Sequence, residues 1–239
     1  LGRLIIAGHD VERLQVSFEE ACALLLGQGP HRERLAAARV AAFARLARMG
    51  DALDQRDGMD ALRAGIAHLP GDSDVPTVLG AFPVVVAAWV RKQRGLAPVP
   101  PDPTLGHAAD FLQMIDGASP SEARVAGLSA YLVTVSDHGM NASTFTARVV
   151  ASTGSDLVSS VVAAIGALKG PLHGGAPGPV LDMLDAIGAP EHAEAWLAAE
   201  LAAGRRIMGM GHRIYRVRDP RAAVLERALE TFEQTGVRS

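Results

Sequence analysis

Cysteine is almost absent from this chain of 239 residues: Cys22 stands alone inside an apolar run. A single thiol rules out a disulfide framework, fits a reducing cytoplasm and is expected to be buried and inert. Aromatics are scarce at 4%, while alanine abounds, which points to helices packed closely through small side chains. Charge is also limited. Charged residues make up 21% and the formal net charge is −3, which gives no general reason to expect nucleic acid. Long hydrophobic runs are missing as well. The most apolar stretch, Leu157–Leu168, is too short to cross a bilayer, so no membrane partner is expected. Leu1-Gly2-Arg3-Leu4 has no signal-peptide pattern.

Apolar residues still reach 49%, enough for an ordinary globular core in one or two domains. Leu4-Ile5-Ile6 reads as a short strand, and Gly8-His9-Asp10 as a turn capping a helix from Val11. Ser17 with Glu20 forms a capping box ahead of Ala21–Leu26, which Gly27 ends. The range 32–49 sets Leu35, Val40, Phe43 and Leu46 on one broad face and stops at Gly50. Residues 59–68 form another helix, closed by Pro70-Gly71, and Pro83 inside the helix 75–94 predicts a kink. Pro98 to Pro103 make a stiff loop. Leu105, Ala108, Leu112 and Ile115 mark a helix ending at Gly117. Ser119, Pro120 and Glu122 then signal a start, with Val125, Leu128, Leu132 and Val135 as its buried face. After a helix over 141–152, Ser155 caps 156–169, apolar nearly all round and therefore expected to be central. Helices over 179–187 and 191–203 end at Gly188 and Gly204. The last begins at Asp219-Pro220 and turns Val224, Leu225, Ala228 and Phe232 inward. Without repeats or sustained strand alternation, the fold class is all-α.

One stretch departs from the even charge. Arg205 to Arg221 holds six arginines and a single acidic residue, Asp219, around Gly209-Met210-Gly211-His212. The planar fork of arginine suits carboxylate or phosphate, and the glycines let backbone approach a ligand. On charge alone a solvated basic loop is the slightly better fit. Two more histidines share the glycine-flanked setting: His138 in Asp-His-Gly and His173 in Leu-His-Gly-Gly. Arg221, in the first turn of a helix, would reinforce an anion site there, or simply pair with Asp219. His9, His31, His68, His107 and His192 lack this setting and read as surface or packing residues. The three loop histidines have no short metal-ligand spacing, and no nucleophile elbow accompanies them.

The segments Ser136-Asp137-His138-Gly139-Met140-Asn141-Ala142-Ser143-Thr144, Ala167-Leu168-Lys169-Gly170-Pro171-Leu172-His173-Gly174-Gly175-Ala176, and Met208-Gly209-Met210-Gly211-His212-Arg213 through Asp219-Pro220-Arg221 come in that order. Together they resemble the successive signatures of the citrate synthase family, nearest to the bacterial branch that includes 2-methylcitrate synthases. The resemblance implies a two-domain helical homodimer condensing acetyl-CoA or propionyl-CoA with oxaloacetate, with acyl-CoA as substrate and no cofactor. It implies that His138, Asn141, His212 and Arg221 bind oxaloacetate, His212 polarising the ketone. His173 would donate a hydrogen bond to the thioester carbonyl. Arg206, Ile207, Met208, Gly209, Met210, Gly211 and Arg216 would hold CoA. Residues 1–178 would be a large domain and 179–239 the start of a smaller one, with the hinge beside His173. The family's catalytic carboxylate follows the Asp-Pro-Arg helix, so the likeness also implies a chain that is C-terminally incomplete. None of Asp137, Asp156, Asp182 and Asp219 matches that carboxylate's motif.

Three readings follow. The first is a citrate synthase-type acyltransferase. The second is a truncated, non-catalytic member that binds oxaloacetate or CoA, or acts through dimerisation. The weakest is a metal-binding helical protein.

Overall fold

A computed structural model describes residues 2–137, 139–175, 177–207, 209–210 and 217–234, with side chains through 230. The chain opens with an antiparallel hairpin, β1 Ile5–Ile6 and β2 His9–Asp10. Ala7 (φ 47°) and Gly8 (φ 86°) lie in the left-handed region between the strands, as a tight two-residue hairpin turn requires. Asp10 then caps a single 3-10 turn, Val11–Arg13, where the sequence pattern predicts a longer helix.

Eleven α-helices follow among the described residues: α1 Phe18–Leu26, α2 His31–Arg45, α3 Gly58–Ala67, α4 Val75–Gln93, α5 His107–Asp116, α6 Glu122–Thr134, α7 Ala142–Ala151, α8 Leu157–Leu168, α9 Pro177–Ile187, α10 Ala193–Ala202 and α11 Pro220–Gln234. Short polar residues start most of them. Ser17 and Glu20 close a reciprocal capping box on α1, and Asp57, Asp74 and Asn141 accept first-turn N–H groups of α3, α4 and α7. Two expected caps shift. Ser121, not Ser119, caps α6, because the backbone past Pro120 stays extended for one more residue before turning helical. Asp156, not Ser155, caps α8, its carboxylate accepting from the Ser159 N–H at 2.8 Å, a stronger acceptor at the positive end of the helix.

The core centres on α4, not α8. Val78, Ala81, Val84, Val85 and Ala87 of α4 are buried with Leu62 and Ile66 of α3, Ala42 of α2 and Met114 of α5. A Cβ at Gly80 would come within 2.5 Å of the Ala38 Cβ, and one at Gly65 within 2.7 Å of Val85 Cγ1. Small residues therefore set how closely α2 and α3 approach α4, in keeping with the shortage of aromatics. By length and composition α4 also meets the requirement for a membrane span. Its burial in the middle of the helical body marks it as a core helix. α8 lies to one side, burying only Val158, Ser160 and Ile165. On α6 the deepest residues are Ala123, Val133 and Thr134, and the expected Val125, Leu128, Leu132 and Val135 are half-buried.

α2 holds the largest departure from simple patterning. Val40 is 44% exposed, while Arg39 is buried. The Arg39 guanidinium binds the buried Asp110 carboxylate of α5, donates to the Leu105 carbonyl at 3.0 Å and faces His107 Nδ1 at 3.3 Å. Asp110 also accepts from the Asp102 N–H at 2.9 Å, and Glu19 accepts from the His107 N–H at 2.7 Å. Burial pushes the Asp110 carboxyl above its usual range, opposed by the Asp102 N–H and the Arg39 charge. Desolvation, and then Arg39, hold the His107 imidazole down to about 3. This network fastens α1, α2, α5 and the proline-rich loop together.

Further along, α9 and α10 leave most side chains exposed. α11 packs on α6 and on the Val11–Arg13 turn, with Val224 against Leu4, Ile6 and Val11. The side chain of Phe232 lies outside the described residues. The domain division expected after Gly178 falls in the first turn of α9.

Two outcomes are expected of the buried network. Asp110→Ala, which strands the Arg39 charge, should cost about 3–5 kcal/mol in urea unfolding, and the apolar pair Arg39→Met with Asp110→Leu should recover most of it. His107 stays neutral in the folded chain while its unfolded form takes up a proton below about pH 6.5. Its contribution to stability is therefore full above that pH and declines as pH falls towards its folded value of about 3. Unfolding free energies measured from pH 7 to 4 should show this decline, and His107→Gln should flatten it.

Candidate active site

The site is built where the N-terminus of α7 meets the C-terminus of α8, two helices that pack along their length. Asn141 caps α7, its Oδ1 accepting from the Thr144 N–H at 3.0 Å and from the Ser143 hydroxyl at 2.8 Å. Just before it, the Gly139 N–H donates to Asp137 Oδ1 at 2.9 Å, with Gly139 at φ 75°.

At the far end of α8, Gly170-Pro171-Leu172-His173-Gly174-Gly175 folds back on the helix. The Gly174 N–H donates to the Leu168 carbonyl at 2.9 Å, and the His173 and Gly175 N–H groups both reach the Gly170 carbonyl, at 2.9 and 3.2 Å. This back-folded turn carries the His173 ring to α7. His173 Nε2 lies 3.3 Å from the Ser143 nitrogen and 3.0 Å from its hydroxyl.

The Ser143 N–H can only donate, and in the first turn of a helix it has no partner within the helix. With Nε2 of the half-buried ring as the acceptor of this N–H, the ring proton sits on Nδ1. Among the described residues Nδ1 has no hydrogen-bond partner. In that tautomer it is an oriented donor, suited to an oxygen that gains negative charge.

The structure thus joins two of the expected residues, Asn141 and His173, through a third, Ser143, to which the sequence pattern assigns no role. A hydroxyl residue in the turn after an asparagine cap was its only signal. Arg221 opens α11, where Asp219 wraps it: the Arg221 backbone N–H donates to Oδ1 at 2.9 Å, and the guanidinium reaches both oxygens, Nη2 to Oδ2 at 2.6 Å. The pairing foreseen as the alternative to an anion site is therefore present, and it sets the direction of the guanidinium. α11 rests on α6, whose C-terminal end leads into the Asp137–Asn141 segment.

Of the residues expected at CoA, Arg206, Gly209 and Met210 are exposed and Ile207 is half-buried. Gly209 lies against Val180 of α9, which a Cβ there would meet at 3.1 Å. The neighbouring Arg205 forms a two-pronged pair with Glu200 at 2.7 and 2.6 Å. His138, Met208, Gly211, His212 and Arg216 lie outside the described residues. No group of three or more His, Cys, Asp or Glu side chains suited to a metal is found among the described residues.

The chain is similar to known proteins over nearly its whole length. The family model for the citrate synthase C-terminal domain matches residues 1–239. A 2-methylcitrate synthase of Mycobacterium tuberculosis is 39% identical over 248 residues, a match covering 95% of this chain. The chain spans 63% of the length of that relative. Citrate synthase from Pyrobaculum aerophilum superimposes with a TM-score of 0.83 at 33% identity, covering 98% of this chain and 67% of the other. Citrate synthase from Thermoplasma acidophilum, solved as a ternary complex with carboxymethyl coenzyme A and oxaloacetate, gives a TM-score of 0.75 at 27% identity, over 99% of this chain and 73% of the other.

The His173 turn has no room for a side chain at Gly174, where a Cβ would lie 2.5 Å from the Leu168 carbonyl oxygen and 2.6 Å from its Cδ1. Gly174→Ala should push the turn off α8 at a cost of about 1–3 kcal/mol. It should also break the His173–Ser143 contact, read as a change in the His173 ring ¹⁵N shifts.

Proposed function

The chain belongs to the citrate synthase family, and from that premise we propose that the protein is an acyltransferase. It condenses acetyl-CoA or propionyl-CoA with oxaloacetate and water, releasing citrate or 2-methylcitrate and CoA. The observation that carries the reading is the contact of His173 Nε2 with the Ser143 N–H, the arrangement that leaves Nδ1–H to donate.

In this mechanism the Nδ1–H of His173 donates to the thioester carbonyl oxygen. That oxygen gains charge as a carboxylate base removes a proton from the adjacent carbon. A fixed neutral donor stabilises the enolate without protonating it outright. The enolate carbon attacks the oxaloacetate ketone, whose oxygen His212 polarises and then protonates. Water finally cleaves the thioester and CoA leaves. Every step is redox-neutral, so the chemistry calls for no redox cofactor.

Oxaloacetate carries two carboxylates. His138, Asn141 and Arg221 are its proposed partners, with Asp219 setting the direction of the Arg221 fork. The loop containing Arg206, Ile207, Met208, Gly209, Met210 and Gly211, together with Arg216, is the proposed CoA seat. The base is not assigned to Asp156, which caps α8, or to Asp137 and Asp219, which are engaged by Gly139 and Arg221.

Residues 179–239 are proposed as the beginning of a smaller domain whose closure, hinged beside His173, excludes water from the enolate. A homodimer is proposed too, supported by apolar side chains left in solvent on α6 and α7: Tyr131 at 50%, Phe145 at 61% and Val149 at 48% exposure. A reducing cytoplasmic setting suits the buried Cys22, whose thiol burial pushes up to about 11.

The test is release of free thiol from acetyl-CoA and propionyl-CoA, each with oxaloacetate. CoA formed only when oxaloacetate is present supports the reading; no CoA with either substrate rejects it and leaves the binding-only alternative. His173→Ala should abolish condensation while oxaloacetate still binds in calorimetry. Arg221→Ala should raise the apparent KM for oxaloacetate by about 10- to 100-fold, the loss expected for a charge-assisted contact of 1.5–3 kcal/mol. An unchanged KM would remove Arg221 from the site.

A further inference from the structure

The last turn of α8 is weakly held by apolar contacts. Ile165 is its one fully buried residue, Gly166 faces open space and Leu168 is 37% exposed. Yet the end of this turn and the residues just past it supply both carbonyls that shape the His173 loop, those of Leu168 and Gly170. Between them lies Lys169. Its ammonium binds the Asp60 carboxylate and stands 3.6 Å from Asp57.

Both aspartates belong to the start of α3, a helix of the central body. Asp57 is its N-cap, accepting from the Asp60 N–H at 3.0 Å, and Asp60 Oδ1 also accepts from Arg63 at 2.9 Å. Both acceptors are thus also held from within α3. The Asp60 carboxylate is held below its usual range by the Lys169 hydrogen bond, and Lys169 is held above its own by the same bond. The nearest polar anchor to His173 along the chain is therefore an ion pair reaching from the end of α8 to α3, a packing partner of α4.

We propose that Lys169, clamped by Asp60 and Asp57, is a positioning residue for His173. It fixes the end of α8 so that the His173 ring meets the Ser143 N–H. The proposal rests on the reading of His173 as the donor to the thioester carbonyl.

The variants are Lys169→Met, Asp60→Asn and the exchange Lys169→Asp with Asp60→Lys, each checked for thermal unfolding. Either single change should lower kcat by about 10- to 100-fold, the order that a 1 Å misplacement costs. KM for oxaloacetate should stay within about twofold, because the substrate dianion is held elsewhere. The exchange should recover most of kcat, and Lys169→Arg should retain it. A merely structural salt bridge would shift the melting temperature without this split between kcat and KM. A second readout needs no turnover. In wild type the His173 ring ¹⁵N shifts should report the Nδ1–H tautomer, and Lys169→Met should move them. If the wild-type chain releases no CoA, the enzyme reading fails and the ring shifts alone decide the positioning. Unchanged kcat in Lys169→Met, or unchanged His173 shifts where no turnover exists, would overturn the proposal.

Discussion

The close approach of helices around α4 is the constraint on which the rest depends. At Gly80 and Gly65 there is no room for a single extra carbon against Ala38 and Val85. α2 consequently lies almost backbone-to-backbone on α4, and the backbone of α3 rests directly on the Val85 side chain. The other site-bearing elements lean on that trio in succession: α5 on α4, α6 on α5, α11 on α6, α8 on α3 and α7 on α8. Well-packed interiors of this kind transmit displacement, because small gaps forfeit contact energy. A site proposed at the ends of α6, α7, α8 and α11 would inherit its geometry from that chain of contacts.

Polar interactions then take over where apolar packing thins out. Arg39 and Asp110 lie deep among α2, α5 and the proline-rich loop, and their removal from water is tolerable because each guanidinium nitrogen and both carboxylate oxygens meet a partner. At the surface end of α8, Lys169 and the aspartates of α3 play a corresponding part with solvent still present. Between these two pairs the structure holds both faces of the helical body, the inner one through a desolvated ion pair and the outer one through a partly screened one.

The site uses helix ends as its electrostatic elements. The Ser143 N–H in the first turn of α7 meets the His173 ring, and the carbonyls of Leu168 and Gly170 shape the loop that carries it. Backbone groups are well suited to this because they cannot rotate away or change charge. Ser143 presents both its main-chain N–H and its hydroxyl to the same nitrogen of His173. Arg221 receives the same treatment from Asp219, which trades part of the arginine's charge for a defined direction.

By itself the sequence determined the all-α class, most helix limits and the order of the three glycine-flanked histidine motifs. These follow from local chemistry: capping residues, glycines that stop helices and an apolar period of 3.6. It also carried the family, since Asp137 to Thr144, Ala167 to Ala176 and Met208 to Arg221 are short contiguous patterns. Where two neighbours offered similar chemistry, as at Ser119 and Ser121 or Ser155 and Asp156, local pattern alone chose wrongly, because the cap depends on which residue the incoming chain leaves extended. Only the tertiary structure decided that Arg39 goes inside and Val40 outside, since the reason for it, Asp110, lies 71 positions away. Only the fold could bring Ser143 to His173 across 30 positions and Lys169 to Asp60 across 109. Pairings of that kind arise from how helices stack, and no periodicity along the chain encodes them.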